Sequence, residues 1–277
     1  MSDYLGDVVT LQHKARASFI SIDRGILRVE DHCLLLVKEN EEIEIPVAMV
    51  STILIEPGVS VTHEAVKLAA ENNTLLVWVG EAGVRVYSAG EPGGKSAERL
   101  IQQVSVHLDQ SKRMMAAQRL YALMFDELMP ETRSIDKLRG NEGARVKKLY
   151  AEIAKSFDVE WSGRENSDES LKDALGFATS CLYGLCEAVI LSAGYSPAIG
   201  IVHSGNARSL VFDLADTVKF KSVVPAAFEV FKESPVDVRN RVRHRCRDLF
   251  REQKMAELLF QNLFFIFGED VDSSAAN

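Results

Sequence analysis

Short apolar segments with a two-residue alternation fill the first third of the chain, residues 18–90. They are rich in Ile, Leu and Val, are separated by Gly, Asp, Asn or Pro, and include SFISI, GILRVE, CLLLVKE, EIEIP and STILI. This period predicts β-strands, because successive side chains of a strand point to opposite faces. A helix is predicted after Thr62, over EAVKLAAENN, and two more strands over TLLVWVG and VRVYSAG. The region therefore predicts a β sandwich or an open sheet.

The period changes after GEPGGK, residues 90–95, where Gly and Pro end regular structure. Apolar residues then follow helical spacing in RLIQQVSVHLDQSKRMMAAQRLYALMFDELM, KLRGNEGARVKKLYAEIAKSF, SLKDALGFATSCLYGLCEAVILSAG and VDVRNRVRHRCRDLFREQKMAELLFQNLFFIF. A division at about Pro92 gives an N-terminal β-sandwich-like domain, residues 1–91, and an all-α domain, residues 92–277. The predicted fold class is α+β.

Composition narrows the possible classes of protein. Hydrophobic residues make up 47% of the 277 positions, which is enough for a substantial core. No uninterrupted apolar run approaches the roughly 20 residues of a membrane helix, and MSDYLGDVVT is unlike a signal peptide, so we expect a cytoplasmic protein without a membrane anchor. The four cysteines form no CxxC pair, which favours reduced buried thiols over a zinc site. The net charge of −8 argues against nucleic-acid binding unless a local basic patch exists.

Glu142 lies on an apolar face of the predicted helix LRGNEGARVKKLYAEI. It is four residues from both Leu138 and Val146, and positions four apart share a helix face. A core-facing carboxylate costs several kcal/mol, about 3–5, unless it is paired or bound to a metal. Gly140 and Gly143 flank it and leave room for a backbone or a ligand. A metal ligand and a buried ion pair with an Arg are equally compatible with this spacing.

A second group of polar residues lies in IVHSGNARSLVFDLADTVKF, residues 201–220. His203 follows an apolar segment at a turn, and Asp213 and Asp216 share a face of a helix that starts near Ser209. Singly, each has an ordinary structural explanation, such as an acidic residue near a helix start. Glu142, His203 and Asp216 come from separate helical segments, and two carboxylates with one imidazole suit Mn²⁺ or Mg²⁺.

Six arginines lie within VRNRVRHRCRDLFR near the C-terminus. On a helix they divide into two stripes, and Arg241 and Arg245 can be neutralised by acidic residues of the same segment. Arg239, Arg243 and Arg247 form the less neutralised stripe, for which we expect contacts with phosphates. A solvated helix face is the alternative interpretation.

Several of these segments resemble one known family when they are taken in order along the chain. ILIEPGVSVTHEAVKLAA, TLLVWVGEAGVRVYSAGEPGG, LRGNEGARV, ATSCLYG, AGYSPAIGIVHSG and VFDLADTVKF are similar to the CRISPR-associated Cas1 integrases, in their type I-E subtype. The similarity covers about residues 15–267, and WVGEAGVRVY and PAIGIVHSG are its most specific parts.

The resemblance implies a fold, an activity and a set of partners. It implies an N-terminal β domain that forms a homodimer and a C-terminal helical domain that is catalytic. Two such dimers flank a dimer of the small protein Cas2, and the complex inserts short foreign DNA into a CRISPR array through attack of DNA 3′-hydroxyls on the repeat. By position, the implied Mg²⁺ or Mn²⁺ ligands are Glu142, His203 and Asp216, the supporting acid is Asp213, and the implied double-stranded DNA contacts are Arg85, Lys219, Arg243 and Arg247.

The sequence also departs from the family's pattern. Arg24 occupies the position before Gly25 where an aromatic residue often separates the DNA strands at an end, and Phe212 replaces a common Tyr. Lys172 stands where an Asn is common, and the tail after Phe267 is short. The mode of DNA end separation and the contacts made by a longer tail therefore stay open. A branched-DNA nuclease of DNA repair and a non-catalytic DNA-binding scaffold are the alternative functions.

Overall fold

The computed structural model describes residues 20–80, 86–90, 97–127 and 135–269, with the backbone alone at positions 136, 137, 139 and 141. These residues divide into two compact units. The first holds residues 20–78 and 88–90, and the second holds 79–80, 86–87 and the remaining described residues from 97 onward. Mixed sheets therefore precede a helical region, which confirms the predicted α+β class.

Eight described strands form two four-stranded sheets. Their bounds are β1 Ile20–Ile22, β2 Gly25–Glu30, β3 Cys33–Val37, β4 Glu42–Ile45, β5 Thr52–Ile55, β6 Val59–Val61, β7 Leu75–Val79 and β8 Val86–Ala89. One sheet has the order β1-β5-β7-β8, in which β5 pairs in parallel with both β1 and β7. The other has the order β4-β3-β2-β6, with antiparallel β2/β3 and β3/β4 pairs and a parallel β2/β6 pair.

One apolar core joins both sheets and the first helix. Leu34 and Leu36 alternate inward along β3, as the two-residue period predicts, and pack in a cluster with Ile53 of the other sheet. Helix α1, His63–Glu71, adds Ala65 and Ala69 to this core. Its start after Thr62 is confirmed, because the Thr62 hydroxyl caps the helix by accepting a hydrogen bond from the Ala65 backbone N–H at 3.3 Å.

The helical unit contains the remaining described helices, whose bounds are α2 Glu98–Leu108, α3 Gln110–Phe125, α4 Ile135–Ser156, α5 Glu169–Ser192, α6 Ser209–Asp216, α7 Val223–Glu233, α8 Val238–Glu252 and α9 Met255–Phe267. Two segments that read as continuous helices in the sequence are each divided. Asp109 takes an extended backbone and caps α3 through the N–H groups of Ser111 and Lys112. Lys254 has a left-handed backbone with φ of 44°, and it separates α8 from α9.

Helix α5 is the centre of the helical unit and packs against α6, α7, α8 and α9. Its 24 residues are long and apolar enough to cross a membrane, but 67% of its most apolar window is buried inside the unit. Burial in the protein core accounts for this composition. The thiols of Cys181, Cys186 and Cys246 are free and buried, as expected, whereas Cys33 is free but only half-buried.

The boundary between domains stays a prediction. Pro92 and its Gly-rich neighbours lie outside the described residues, as does Arg85. Among the positions where the chain departs from the family, Arg24 occupies the turn between β1 and β2 with a left-handed φ of 46°, and Lys172 pairs with Glu169 at 2.8 Å in the first turn of α5.

Candidate active site

A buried carboxylate shapes the loop that carries His203. Asp213 is fully buried and accepts hydrogen bonds from the backbone N–H groups of Ile201 at 2.5 Å, Val202 at 3.2 Å and His203 at 3.0 Å. Gly200 permits this close approach, since a Cβ there would lie 2.3 Å from the His203 carbonyl oxygen and 2.9 Å from the carboxylate. Asp213 therefore fixes the loop backbone and is itself shielded from solvent.

The His203 ring is oriented by the same carboxylate. Its Nδ1 lies 2.7 Å from Oδ1 of Asp213, and its ring packs edge-on against Phe212 at 5.7 Å. The Asp213 hydrogen bond raises the pKa of His203 against the opposing effect of burial, and the nearby charges of Asp216 and Glu142 raise it further. Because Nδ1 is engaged, Nε2 is the ring nitrogen left for a ligand.

Asp216 lies at the C-terminal end of α6, where the helix dipole disfavours a negative charge. Its Oδ1 pairs with the Lys219 ammonium at 2.5 Å, and both side chains are largely buried. Burial disfavours the charged ammonium, but the Asp216 carboxylate more than offsets it, so that the pKa of Lys219 is raised. An explanation of Asp216 as a first-turn acid is therefore wrong. Lys219, for which the resemblance implies a DNA contact, pairs with Asp216 in this structure.

Glu142 lies on α4 and is half-buried. Its Oε2 accepts a hydrogen bond of 2.6 Å from the hydroxyl of Tyr121, a residue of α3 that is 1% exposed. Burial, together with the negative charge of Glu142, raises the pKa of Tyr121, so the phenol is a neutral donor. The described partner of this core-facing carboxylate is thus a phenol and not the Arg of the ion-pair alternative.

No group of three His, Cys, Asp or Glu side chains within the described residues lies at the spacing of a bound metal ion. The negative charges of Asp216 and Glu142 nevertheless each act on the His203 imidazole and raise its pKa. Each of these side chains uses one oxygen or nitrogen atom in the contacts above and has a second that can bind a metal. Two carboxylates and an imidazole in a negative field suit Mg²⁺ or Mn²⁺. The three residue types suit such a cation although they are not at ligand spacing in this structure, and their assignment as its ligands stays a prediction.

Of the two sets of arginines that the sequence predicts on α8, Arg241 and Arg245 form the one expected to be neutralised. Arg241 donates to Glu233 at 2.5 Å, and Arg245 pairs with Glu229 at 2.8 Å and with Glu252 at 3.6 Å. These two guanidinium groups are therefore neutralised, although the partner of Arg241 comes from α7 rather than from its own helix.

The second set also has acidic neighbours. Arg239 pairs with Asp173 and Arg247 with Asp248, both at 3.0 Å, and Arg243 donates a hydrogen bond within its own helix. The paired side chains are 40–58% exposed, and such surface ion pairs contribute only about 0–1 kcal/mol. A phosphate could therefore replace these partners at little cost, and the role of the stripe stays a prediction.

Residues that the sequence did not single out hold the site from α2 and α3. Gln103 donates to the backbone carbonyls of Ser196 and Ile199, and the His107 ring lies 2.8 Å from the Gly200 carbonyl oxygen. From α3, Arg113 contacts the loop that carries His203, and Tyr121 contacts Glu142. The sequence signal that could have identified Gln103 was a polar side chain on the inner face of an amphipathic helix, where it is 1% exposed.

Comparison with known proteins identifies the family. The family model described as CRISPR associated protein Cas1 matches residues 19–123 and 122–240. The CRISPR-associated endonuclease Cas1 of Escherichia coli strain K12 is 44% identical over 254 residues, which are 89% of this chain and 83% of that protein. The protein of the same name from Geobacter sulfurreducens is also 44% identical, over 87% of this chain and 81% of its own length.

A comparison with solved structures indicates the same family as these two relatives. The crystal structure of the TtCas1–DNA complex has a TM-score of 0.84 and 32% identity, and it covers 92% of this chain and 98% of its own. The match extends over both the β-rich and the helical regions. With the sequence identities, it shows that the chain belongs to the CRISPR-associated protein Cas1 family.

Proposed function

We propose that this protein is a metal-dependent DNA endonuclease and integrase of CRISPR adaptation, which inserts foreign DNA into a CRISPR array. The observation that carries the proposal is the site in the helical unit, where the charges of Glu142 and Asp216 reach an imidazole that Asp213 orients. The family membership supports it, as does the similarity to a Cas1 protein solved with DNA.

The protein groups divide the work of this site. Glu142, His203 and Asp216 would hold Mg²⁺ or Mn²⁺, which when bound supplies Lewis-acid polarisation of a scissile phosphate. Asp213 holds the His203 loop and keeps the ring turned so that Nε2 is free. Lys219 neutralises Asp216 and offers a positive charge beside the reacting phosphate. Phe212 has no hydroxyl, so the incoming nucleophile is assigned to the DNA 3′-hydroxyl rather than to this side chain.

DNA binding is assigned to basic side chains that contact the DNA backbone rather than the bases. Arg243 and Arg247 lie on α8, in a segment of six arginines within a chain of net charge −8. Arg85 and Lys219 complete the proposed double-stranded DNA contacts. Such contacts release counterions, so affinity should fall steeply with salt.

The proposed assembly is a homodimer in a heterocomplex with Cas2, acting in the cytoplasm. A strand-transfer assay tests the enzymatic part, with Mn²⁺ and a labelled branched DNA that bears a free 3′-hydroxyl, with and without Cas2. Joined products are expected for the unmodified protein. Cleavage of branches without joining, even with Cas2, would instead favour the DNA-repair nuclease.

Carboxylate variants test the site itself. Glu142→Ala and Asp216→Ala should each lower joining by more than about 100-fold, since a metal centre is sensitive even to its supporting residues. Glu152→Ala is the matched control, because that carboxylate lies on α4 like Glu142 but is 57% exposed in a surface pair with Lys148. Full activity of both site variants would overturn the metal centre, and DNA binding without any reaction would identify a scaffold.

A further inference from the structure

Helix α3 contacts both halves of the candidate site. From one of its turns, the Arg113 guanidinium donates to the Ile201 carbonyl oxygen at 2.7 Å, two residues before His203. Two turns further on, the Tyr121 hydroxyl donates to Glu142 at 2.6 Å. The same rigid helix therefore fixes the loop of the imidazole and reaches the opposing carboxylate.

Helix α4 rests on α3 at two points near Glu142. The rings of Tyr121 and Phe125 are stacked one turn apart, with centroids at 6.1 Å and planes 2° from parallel. Glu142 meets the first ring through its hydroxyl, and the Arg145 guanidinium lies 4.0 Å from the centroid of the second. Tyr121 and Phe125, four residues apart on α3, therefore contact two residues of α4 that are three apart, Glu142 and Arg145.

This part of α4 needs such external support. Gly140 and Gly143 flank Glu142, and an added Cβ at either position would meet no atom of the described residues within 4 Å. Neither glycine is thus required by a close contact, and glycine weakens a helix interior through its backbone freedom. The orientation of Glu142 is consequently set by its partner on α3 rather than by a stiff helix.

We propose that Tyr121 is a positioning residue for Glu142. The Tyr121 hydroxyl holds Oε2 of Glu142 and leaves Oε1 for a divalent cation. This inference rests on the proposed function, in which Glu142 is a metal ligand. Oε1 accepts no hydrogen bond from the side chains that the structure describes. Partners that fix a metal-ligating carboxylate typically alter metal affinity when they are removed.

The test compares two phenols in the full-length protein. Tyr121→Phe removes the hydroxyl and keeps the stacked ring, and the half-buried Glu142 can still be hydrated. Tyr195→Phe is the matched control, because Tyr195 is 3% exposed, is stacked on Phe267 and donates its hydroxyl to Glu269. Titration with Mn²⁺ alone, followed by the electron paramagnetic resonance signal of free Mn²⁺, measures the dissociation constant of each variant.

We expect Tyr121→Phe to weaken Mn²⁺ binding by about 10- to 100-fold and Tyr195→Phe to leave it unchanged. The Mn²⁺ concentration that half-saturates DNA cleavage should rise by the same factor in Tyr121→Phe, with a smaller change in rate at saturating Mn²⁺. A merely structural role would lower that rate without moving the half-saturation point. Unchanged Mn²⁺ affinity in Tyr121→Phe, or equal weakening in both variants, would overturn the proposal.

Glu142→Gln separates this inference from the proposed function. If Glu142→Gln loses Mn²⁺ binding while Tyr121→Phe retains it, the metal centre stands and only the positioning role is refuted. If Glu142→Gln binds Mn²⁺ like the unmodified protein, Glu142 is not a ligand, and both proposals fail. If both variants bind weakly, adding Tyr121→Phe to Glu142→Gln should cause no further loss, because the hydroxyl acts through that carboxylate.

Discussion

The two halves of the candidate site are built in opposite ways. The His203 arm, residues 199–203 with Asp213, is fixed by a fully buried carboxylate that accepts three backbone hydrogen bonds and contacts the imidazole. The Glu142 arm, residues 140–145 with Tyr121, holds its carboxylate through a single hydrogen bond among the described residues, on a helix with two glycines.

This difference indicates which half determines the geometry and which adapts. A carboxylate with several short hydrogen bonds cannot move without leaving buried donors unsatisfied. A half-buried carboxylate for which one described hydrogen bond sets the orientation is less constrained. We therefore expect the His203 arm to be a rigid template and the Glu142 arm to adjust when a cation and DNA bind.

Asp213→Ala should cause the largest loss. It leaves three backbone donors and the His203 ring without their acceptor, so the free energy of unfolding should fall by about 3–5 kcal/mol. Urea unfolding followed by circular dichroism measures the change. Asp173→Ala, at an exposed carboxylate on α5, should cost at most about 1 kcal/mol. A loss below that value for Asp213→Ala would show that the loop keeps its shape without the carboxylate.

Gly200→Ala should follow in magnitude. The added methyl group would meet the His203 carbonyl oxygen at 2.3 Å and Asp213 at 2.9 Å, so overpacking should destabilise the protein by about 1–3 kcal/mol. Gly176→Ala on α5 is the control, since its nearest neighbour would be a flexible Arg164 nitrogen at 3.9 Å. Equal melting temperatures for the two variants would contradict a rigid His203 arm.

Gly143→Ala should change stability in the opposite direction. The position is helical and an added Cβ would meet no described atom within 4 Å, so alanine should stabilise the protein by about 0.5–1 kcal/mol. Thermal unfolding measures the gain, and activity at saturating metal reports whether stiffening the Glu142 arm slows the reaction. A destabilised variant would show that a contact at this position had been missed, and the contrast between the arms would be lost.

Arg247→Ala should have the smallest effect on the fold, because its ion pair with Asp248 is exposed. If it contacts phosphate, the slope of log affinity against log salt should become shallower by about 0.9, measured by fluorescence anisotropy with double-stranded DNA. Lys67→Ala, in an exposed pair of the β unit, is the control. An unchanged slope would remove Arg247 from the DNA contacts and leave both arms unaffected.

Local patterns in the sequence predicted much of the fold and the members of the site. The two-residue period of β3 and the cap at Thr62 act over neighbouring residues, so both could be anticipated. The breaks at Asp109 and Lys254 were missed, because the apolar pattern continues across them while the backbone changes direction. A single residue in an extended or left-handed conformation leaves little mark on periodicity.

The sequence by itself determined the α+β class, through its two periods, and nominated Glu142, His203 and Asp216 through the chemistry of their side chains. Only the tertiary structure decided their partners. Asp213 supports the His203 loop from ten positions away, and Tyr121 reaches Glu142 across 21 positions of the chain. Periodicity reports which face of an element is apolar, whereas hydrogen-bond partners depend on how separate elements pack, and that information is not local.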